Sequence, residues 1–375
     1  MTASMFQFLT EPPSSDVRIP MQRWSNADDV RRLAVMPDVH PAGLFCVGMV
    51  IGTHELIYPI AVGGDIGCGI AACRFTPEAS EISHRHWLAV FEAIGHYIPI
   101  RRHRRASDPV LPADLSQRPL SDPALEKFKL HDGALQLGTL GCGNHFLEIQ
   151  VDQEQRLWAM VHTGSRGIGQ AIFQFHLRHC LPTRFRLPAL QAAAPEGRAY
   201  IADMQWARCY AAENRRSILR MLSEILADTL NVQAEPQTYM DCDHNHLALE
   251  QIGDEHLWVH RKGANAAALD QPGLIPGSMG TESFHTAGRG NVESLNSSSH
   301  GAGRNMTRSA AMRGISPVHL QRAMEGIVFA QQHSRRLCAE APAAYKNIRQ
   351  VMRAQRDLVR IARCLRPVLN YKGTG

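Results

Sequence analysis

Short apolar runs broken by glycine predict strands in the first half of the chain. They occupy residues 47–74 and 157–164, and the second run ends at a Gly-Ser turn. Runs of this length between turn residues are typical of buried strands. The segment 107–124 is rich in proline and interrupts the pattern, so we predict an exposed loop there.

Apolar residues recur at spacings of three and four in three later segments, which predicts helices. These segments are 204–230, 318–340 and 345–365, and the last one stops before Pro367. Strands and helices do not alternate regularly, so a repeated strand–helix–strand unit is not expected. The pattern predicts a single α+β domain over residues 1–375, with 204–230 as a candidate peripheral helical subdomain.

Composition narrows the class of protein. The chain has 375 residues, of which 44% are hydrophobic, enough for a large core. No apolar run reaches the roughly 18 residues that a membrane-spanning helix needs, and the N-terminus lacks the features of a signal peptide, so we expect a cytoplasmic protein. Nine cysteines without a CxxC pair indicate reduced thiols rather than disulfides or a zinc ribbon.

Charge is compatible with a polyanionic partner without requiring one. The net charge is +5, and basic residues cluster at 101–105 and 304–313. Each cluster could contact a phosphate backbone or could be an ordinary solvated face.

Metal-capable side chains stand beside glycines at several places. Asp65 and Cys68 are three residues apart in GGDIGCG, and the histidines are His145 in LGCGNHFLE, His162 in VHTGSRG and His244 in MDCDHNH. Alone, the Asp65–Cys68 pair is more typical of a buried structural cysteine. Together, one carboxylate, one thiolate and three imidazoles could hold two adjacent divalent transition-metal ions such as manganese or zinc.

The segment SSSHGAGR places His300 between serines and glycines. Either its backbone approaches a ligand closely while the imidazole faces that ligand, or it is a surface loop. Arg166 follows His162 by four residues and Arg304 follows His300 by four, which favours contacts to phosphate. The segment 276–283, PGSMGTES, could hold a nucleotide through backbone amides, and there is no P-loop motif.

Taken in order, these motifs resemble those of the RtcB-type RNA ligases. The resemblance runs from about residue 18 to the C-terminus and rests on GGDIGCG, LGCGNHFLE, HTGSRG, DHN, RKGA, GSMGT, SSSHGAGR, AYKNI and LNYKG. It implies one large domain with mixed sheets, long helices and a central dinuclear metal site. It also implies joining of RNA ending in a 2′,3′-cyclic phosphate or 3′-phosphate to RNA with a 5′-hydroxyl, with GTP and two Mn²⁺ ions.

The resemblance assigns roles to individual residues. His300 would be the nucleophile that carries GMP, Asp38 would help to orient groups in the site, and Arg166 and Arg304 would contact phosphate and the RNA end. The implied Mn²⁺ ligands are Asp65, Cys68, His145, His162 and His244. The implied GMP contacts, besides His300, are Asn144, Glu148, Ser278, Ser283, Ala302, Gly303, Tyr345 and Lys372.

Alternatives stay open at this point. The same site could belong to an enzyme that only guanylylates or hydrolyses RNA 3′ ends, and the fold could serve as a non-catalytic RNA-binding module. The chain departs from many relatives at Asp243, where they carry a histidine, which suggests a divergent subgroup. By analogy with such subgroups, a release-factor homologue is a candidate partner in repair of ribosomal RNA, besides tRNA splicing.

Overall fold

The end of the first apolar run and the whole of the second form two inner strands of a seven-stranded sheet in which every neighbouring pair is antiparallel. A computed structural model describes residues 2–76, 82–103 and 111–373. Numbered in chain order and given in spatial order, the strands are β10 (Gln233–Asp243), β5 (Gly69–Thr76), β7 (Leu157–Thr163), β6 (Phe146–Asp152), β17 (Val359–Lys372), β15 (Ser283–Gly288) and β14 (Pro272–Ile275).

A five-stranded sheet contributes the residues around His300 and Asp38. Only its first pair is parallel. Its strands in spatial order are β1 (Ser4–Gln7), β2 (Val30–His40), β3 (Val47–Thr53), β12 (Glu255–Lys262) and β11 (Asn245–Ile252). Smaller sheets pair β13 (Ala264–Ala266) with β16 (Ser297–Ser299), and β4 (Leu56–Ile57) with β9 (Pro188–Gln191) and β8 (Leu181–Pro182).

Helices cover the sheets and fill the connections between them. The α-helices in the described part of the chain are α1 (Ser15–Ser25), α2 (His84–Tyr97), α3 (Ala113–Ser116), α4 (Pro123–Phe128), α5 (Ala134–Gln136), α6 (Arg166–Leu177), α7 (Pro195–Leu230), α8 (Arg308–Gly314), α9 (Pro317–Ala323), α10 (Ser334–Leu337) and α11 (Ile348–Ala354). A π-helical turn at Lys129–Gly133 joins α4 to α5.

Strands β6 and β7 are buried at all seven positions, which explains their apolar sequences. On one face, Leu147 and Val161 lie in the same core cluster as Ile218 of α7. On the other face, Phe146 and Met160 belong to a second cluster. A strand covered on both faces reads as a continuous apolar run rather than an alternating one.

The ends of four strands meet at one edge of the large sheet. Gly69, which begins β5, pairs with Thr163, which ends β7. Phe146, which begins β6, pairs with His162 on one side and with Lys372, near the end of β17, on the other. Residues just outside these strands therefore lie close together, although they are far apart in sequence.

The predicted α+β class and the strands within 47–74 and 157–164 are confirmed. The exposed loop predicted at 107–124 is confirmed only in part where the structure describes it, from residue 111 onward: most of its residues are exposed, but it contains α3 and the start of α4. There, Leu111, Leu115 and Leu120 are buried in the cluster that also contains Trp206. Residues 104–105 of the basic run and 107–110 of the predicted loop lie outside the described residues.

Two helix predictions are wrong. The segment 318–340 is broken into short helices, because α9 ends before Gly326, whose φ of 79° a continuing α-helix does not adopt. The segment 345–365 contains only α11 and then enters β17, where pairing with β6 and β15 overrides the helical spacing. Pro367 sits at an irregularity of the β17–β6 pairing, a position where a strand tolerates proline.

The helix predicted at 204–230 is confirmed as α7, which begins earlier, at Pro195. It is not peripheral. Ile218 and Leu222 pack in one large core cluster, and Trp206 and Tyr210 pack in another. The helix therefore links the two clusters instead of forming a separate outer unit.

Candidate active site

Four metal-capable side chains, one from the same turn and three from distant chain segments, surround the sulfur of Cys68. The sulfur lies 3.6 Å from His145 Nε2 and 3.2 Å from His162 Nε2. His145 Nε2 is 3.0 Å from Asp65 Oδ2, and His162 Nε2 is 3.4 Å from His244 Nε2. The ligand atoms form two groups of three that share Cys68, each group lying within 4.8 Å. All five predicted ligands are therefore brought together.

A tight turn carries Asp65 and Cys68, and its neighbours leave no space for larger residues. Gly67 has a φ of 68°, a conformation that favours glycine, and Cys68 N donates to Asp65 O at 3.0 Å. A Cβ atom at Gly164 would collide with the Asp65 carboxylate. His244 joins the turn because its backbone N donates to Cys68 O at 2.8 Å.

Burial sets the protonation of the cluster. It lowers the pKa of His162 and His244 well below the usual value, so both imidazoles are neutral, the form that binds metal ions. Burial and the charge of Asp65 raise the pKa of the Cys68 thiol well above its usual range. For Asp65, burial acts to raise the pKa, but the hydrogen bond and charge of His145, the hydrogen bond of Cys68 and the charge of Arg166 together outweigh it and hold the pKa at about 2.

This donor set fits two adjacent divalent transition-metal ions. The Nε2 atoms of His162 and His244 face each other at 3.4 Å with both rings neutral, an arrangement that a shared cation stabilises. The Cys68 sulfur lies in both groups, so it can bridge them. Because the thiol must lose its proton to bind, metal binding should release a proton at this sulfur.

Asp38 and His300 form a second unit beside the metal ligands. His300 Nδ1 donates to Asp38 Oδ2 at 2.7 Å, and the backbone N atoms of His300 and Gly301 reach the same oxygen at 3.1 and 3.3 Å. The His300 ring centroid lies 4.7 Å from that of His244. The bond to Asp38 assigns the ring proton to Nδ1, so the Nε2 electron pair is left for a reacting group.

A cavity of about 800 Å³ opens in front of His300. Eight of the nine predicted nucleotide-binding residues line it, namely Asn144, Glu148, Ser278, His300, Ala302, Gly303, Tyr345 and Lys372. The ninth, Ser283, lies behind the wall, where its Oγ accepts from Gln150 Nε2 at 2.9 Å. The same Gln150 nitrogen donates to Glu148 Oε1 at 2.5 Å, so Ser283 can reach the cavity only through Gln150 and Glu148.

Glu148 is the buried carboxyl group of this cavity. Besides Gln150, Asn370 Nδ2 donates to it, at 2.6 Å from Oε2. Burial raises the pKa of Glu148 to about 7. A carboxyl group that changes its charge near neutral pH is suited to recognise a ligand edge made of N–H donors.

Comparison with known proteins identifies the family. The family profile described as tRNA-splicing ligase RtcB matches residues 22–119 and 116–373. The RNA-splicing ligase RtcB of Escherichia coli K12 is 35% identical over 370 residues, covering 92% of this chain and 90% of that protein. The chain belongs to the RtcB family.

More distant relatives match over similar lengths. The tRNA-splicing ligase RtcB of Thermococcus kodakarensis is 30% identical over 419 residues, covering 90% of this chain and 87% of that protein. The RNA-splicing ligase RtcB of Mycobacterium tuberculosis is 29% identical over 430 residues, covering 92% and 97%. The chain therefore corresponds to nearly the full length of these RtcB proteins.

Of the two predicted phosphate-binding arginines, Arg166 lies beside the candidate metal ligands of this RtcB protein. It has a φ of 58° at the start of α6, and its Nε donates to Thr139 Oγ1 at 3.2 Å. Its Nη1 is 3.5 Å from His145 Nδ1. Among the described residues it does not line the large cavity, so it faces the Asp65 side of the site.

Arg304 lines the cavity, but its nitrogens are engaged within the protein. Its Nε donates to Met306 O at 3.0 Å and its Nη2 to Ala339 O at 2.6 Å. Its Nη1 contacts Glu340 Oε1 at 3.2 Å and Tyr345 OH at 3.0 Å. Arg304 thus holds the cavity wall together, and its contact with phosphate or the RNA end stays a prediction.

Arg308 also lines the cavity, but it belongs to none of the sequence motifs from which the site residues were predicted. Only its Nε has a hydrogen-bond partner among the described residues, Glu340 Oε1 at 3.0 Å, and its side chain is 51% exposed. Its terminal nitrogens can therefore bind an anion in the cavity. In the sequence, the basic cluster at 304–313 could have pointed to Arg308. Nothing in the sequence points to Glu340, which is a single acidic residue between two alanines.

Two further basic residues donate hydrogen bonds to backbone carbonyl groups next to site residues. Lys346 Nζ donates to Pro37 O at 3.0 Å and to Val39 O at 2.8 Å, which fixes the backbone on both sides of Asp38. Arg215 is buried, and its Nη1 donates to Gly67 O at 2.7 Å in the metal-binding turn. Lys346 belongs to the AYKNI motif, but in sequence Arg215 looks like any helical arginine.

Within the described residues, no helix is both long enough and apolar enough to cross a lipid bilayer.

Proposed function

We propose that this RtcB protein joins RNA ending in a 3′-phosphate or 2′,3′-cyclic phosphate to RNA with a 5′-hydroxyl, using GTP and Mn²⁺. The RNA-ligase part follows from membership of a family whose relatives are named RNA-splicing ligases. The use of GTP, the choice of Mn²⁺ and the covalent intermediate follow from the resemblance and from the arrangement of His300. A release-factor homologue as partner and a cytoplasmic location stay predictions.

In the first step, His300 Nε2 attacks the α-phosphorus of GTP. A bond forms between nitrogen and phosphorus, and the bond to the β-phosphate oxygen breaks, so that pyrophosphate leaves. Asp38 keeps the ring proton on Nδ1 and stabilises the positive charge that the ring gains, because its carboxylate lies 2.7 Å away. Bound divalent ions would supply Lewis-acid stabilisation of phosphate charge.

In the second step, the RNA 3′-phosphate takes GMP from His300, and the 5′-hydroxyl of the other RNA then displaces GMP. A cyclic phosphate must first be opened by water to a 3′-phosphate. Arg308, whose terminal nitrogens face the cavity, is the side chain we assign to the RNA phosphate. Glu148 and Lys372 line the same cavity and are assigned to the base.

The single observation that carries this proposal is the position of His300. Its ring is held by a buried carboxylate on one side and lies 4.7 Å from the ring of His244, a candidate metal ligand, on the other. A flexible surface loop, the alternative open at the level of sequence, would not fix an imidazole in this way. A nucleophile beside a metal site at the wall of a large cavity suits transfer of a nucleotidyl group.

The test is formation of a covalent adduct with labelled GTP and Mn²⁺. We expect the wild-type protein to retain the GMP label after denaturation and His300→Ala to retain none. His319→Ala, on exposed helix α9, is the control and should label normally. Equal labelling of His300→Ala and wild type would refute the nucleophile.

A second assay separates ligation from the alternative activities. RNA with a cyclic phosphate or 3′-phosphate end is mixed with RNA carrying a 5′-hydroxyl, and the products are separated by size. A joined product supports the proposed function, whereas capped or trimmed 3′ ends without joining indicate an enzyme that only modifies RNA ends. Absence of both the adduct and any RNA product would favour a binding module.

A further inference from the structure

Glu340 lies where the two walls of the large cavity meet. Its Oε1 accepts from Arg304 Nη1 at 3.2 Å and from Arg308 Nε at 3.0 Å. Its Oε2 accepts from Tyr345 OH at 2.5 Å and from Lys372 Nζ at 3.3 Å. One carboxylate thus binds four side chains, and all four line the cavity.

The two oxygens serve different walls. Lys372 Nζ also lies 3.4 Å from Asn144 O and 5.4 Å from the centre of the Phe146 ring, so the Oε2 side is the wall assigned to the nucleotide. Arg308 and Arg304 bind Oε1 and form the adjacent wall, which we assign to the RNA phosphate. Glu340 itself does not line the cavity, so it acts through the side chains that it holds.

The charge of Glu340 makes this arrangement stable. Three cationic side chains approach one another here, and without an anion they would repel. Burial acts to raise the pKa of Glu340, but Lys372, Tyr345 and the two arginines together outweigh it, so that the pKa is lowered and the carboxylate stays ionised. Arg308 binds Glu340 through its Nε alone, so its terminal nitrogens are directed away from the carboxylate.

We propose that Glu340 is a positioning residue that sets the nucleotide-contacting pair, Tyr345 and Lys372, and the phosphate-contacting side chain, Arg308, in one fixed geometry. Arg304 binds the same carboxylate, and its guanidinium carbon lies over the Tyr345 ring, 4.9 Å from the ring centre. This contact is a second link between the two walls. The inference rests on the proposed function, because it takes the two walls to bind GTP and the RNA end. It adds a shared anchor for the two substrates.

The test is Glu340→Gln, measured with GTP and with RNA ending in a 3′-phosphate. Glutamine keeps the shape but offers one acceptor oxygen and one NH2 group, which only donates, so one pair of donors faces a donor instead of an acceptor. We expect the apparent KM for both GTP and RNA to rise about ten- to hundredfold, since charge-assisted hydrogen bonds are lost on both walls. Rates are expressed per active molecule, counted from the amount of GMP adduct formed at saturating GTP.

The KM readout separates positioning from a purely structural role. A structural role alone would reduce the amount of folded protein and its melting temperature, but would leave both KM values of the remaining active molecules unchanged. Glu235→Gln is the matched control, since Glu235 pairs with Arg74 and neither residue lines the cavity. That control should keep both KM values within about twofold of wild type.

Glu340→Asp keeps the charge but is one methylene shorter, so it cannot reach both walls. If Glu340→Gln does not fold, Glu340→Asp gives the test, and a raised KM for at least one substrate is expected. Unchanged KM values for both substrates in whichever variant folds would overturn the inference while leaving the proposed function intact. A wild-type protein that forms no adduct and joins no RNA would instead overturn the proposed function.

Discussion

The carboxylate of Asp38 accepts the Nδ1 proton of His300 at 2.7 Å, and the same oxygen accepts two backbone N–H groups. Asp38 is completely buried, whereas the His300 side chain is 14% exposed. Burial acts to raise the pKa of Asp38, but the adjacent His300 outweighs it and lowers the pKa, so the carboxylate is ionised. A fixed, ionised partner defines which ring nitrogen of His300 is free to react.

We predict that Asp38→Asn slows formation of the GMP adduct by at least about 100-fold, the usual size of an effect on general acid–base or orienting groups. The amide can present its N–H group to Nδ1 and so favour the wrong tautomer of His300. The measurement is the single-turnover rate of labelling with GTP and Mn²⁺. Binding of GTP should change much less, because Asp38 does not line the cavity.

Asp152→Asn is the matched control for that prediction. Asp152 is another buried strand carboxylate, but it bonds Arg156 and Trp158, away from the cavity. It should lower thermal stability without slowing adduct formation per folded molecule. If both variants label at the wild-type rate, Asp38 does not orient His300.

Cys68 is predicted to be required for both metal ions. Its sulfur belongs to both groups of ligand atoms, so Cys68→Ala should lower Mn²⁺ stoichiometry and ligation together. Titration calorimetry with Mn²⁺ gives the stoichiometry, and the RNA-joining assay gives the activity. The controls are Cys46→Ala and Cys338→Ala, two buried cysteines outside both ligand groups, which should retain both properties. Full metal binding by Cys68→Ala would rule out a bridging sulfur.

The clustering of the candidate metal ligands could be predicted from the sequence because local signals marked each of them. Asp65 and Cys68 share one glycine-rich turn, and the histidines stand at strand ends beside glycine or polar turns. The helical spacing of apolar residues at 345–365 wrongly predicted a helix over the whole segment. Its second part forms β17 because it pairs with β6 and β15, and such long-range pairing cannot be seen in the local spacing of residues.

The cavity wall was harder to predict because its contacts depend on residues distant in sequence. Arg304 and Glu340 are 36 residues apart, and nothing near Glu340 indicates that four side chains bind it. Arg304 and Arg308 look equivalent in sequence. Only the contacts distinguish them, since Arg304 uses all three of its nitrogens within the protein and Arg308 uses one.

Arg304 and Arg308 are therefore predicted to respond differently to alanine substitution. Arg304→Ala removes a partner of a buried carboxylate and should destabilise folding by about 3 kcal/mol. Arg308→Ala should change stability by less than about 1 kcal/mol, since its side chain is half-exposed, but it should raise the KM for 3′-phosphate RNA. Thermal unfolding and ligation kinetics measure the two effects. A strongly destabilised Arg308→Ala, or an Arg304→Ala of wild-type stability, would contradict this division.

Glu148 should make guanine binding depend on pH near neutrality. Its pKa of about 7 in the folded protein lies above the ordinary value of 4.5, so the folded state holds this proton more tightly than the unfolded chain does. The stability contributed by that proton is complete below about pH 4.5 and is lost as pH rises through about 7. The group is therefore protonated in the free protein below neutral pH.

Guanine presents N–H donors at N1 and at the 2-amino group, so it binds the ionised form of Glu148, and binding below neutral pH must release the proton. Affinity should consequently rise with pH, by up to about tenfold per pH unit, until about pH 7, and then level off. Guanosine is the probe, because it lacks a phosphate that would titrate in the same range, and calorimetry in two buffers of different ionisation enthalpy counts the proton. Glu148→Gln should bind guanosine more weakly and without this pH dependence. If the affinity of the wild-type protein for guanosine stays constant from about pH 5.5 to 8, Glu148 does not contact the base.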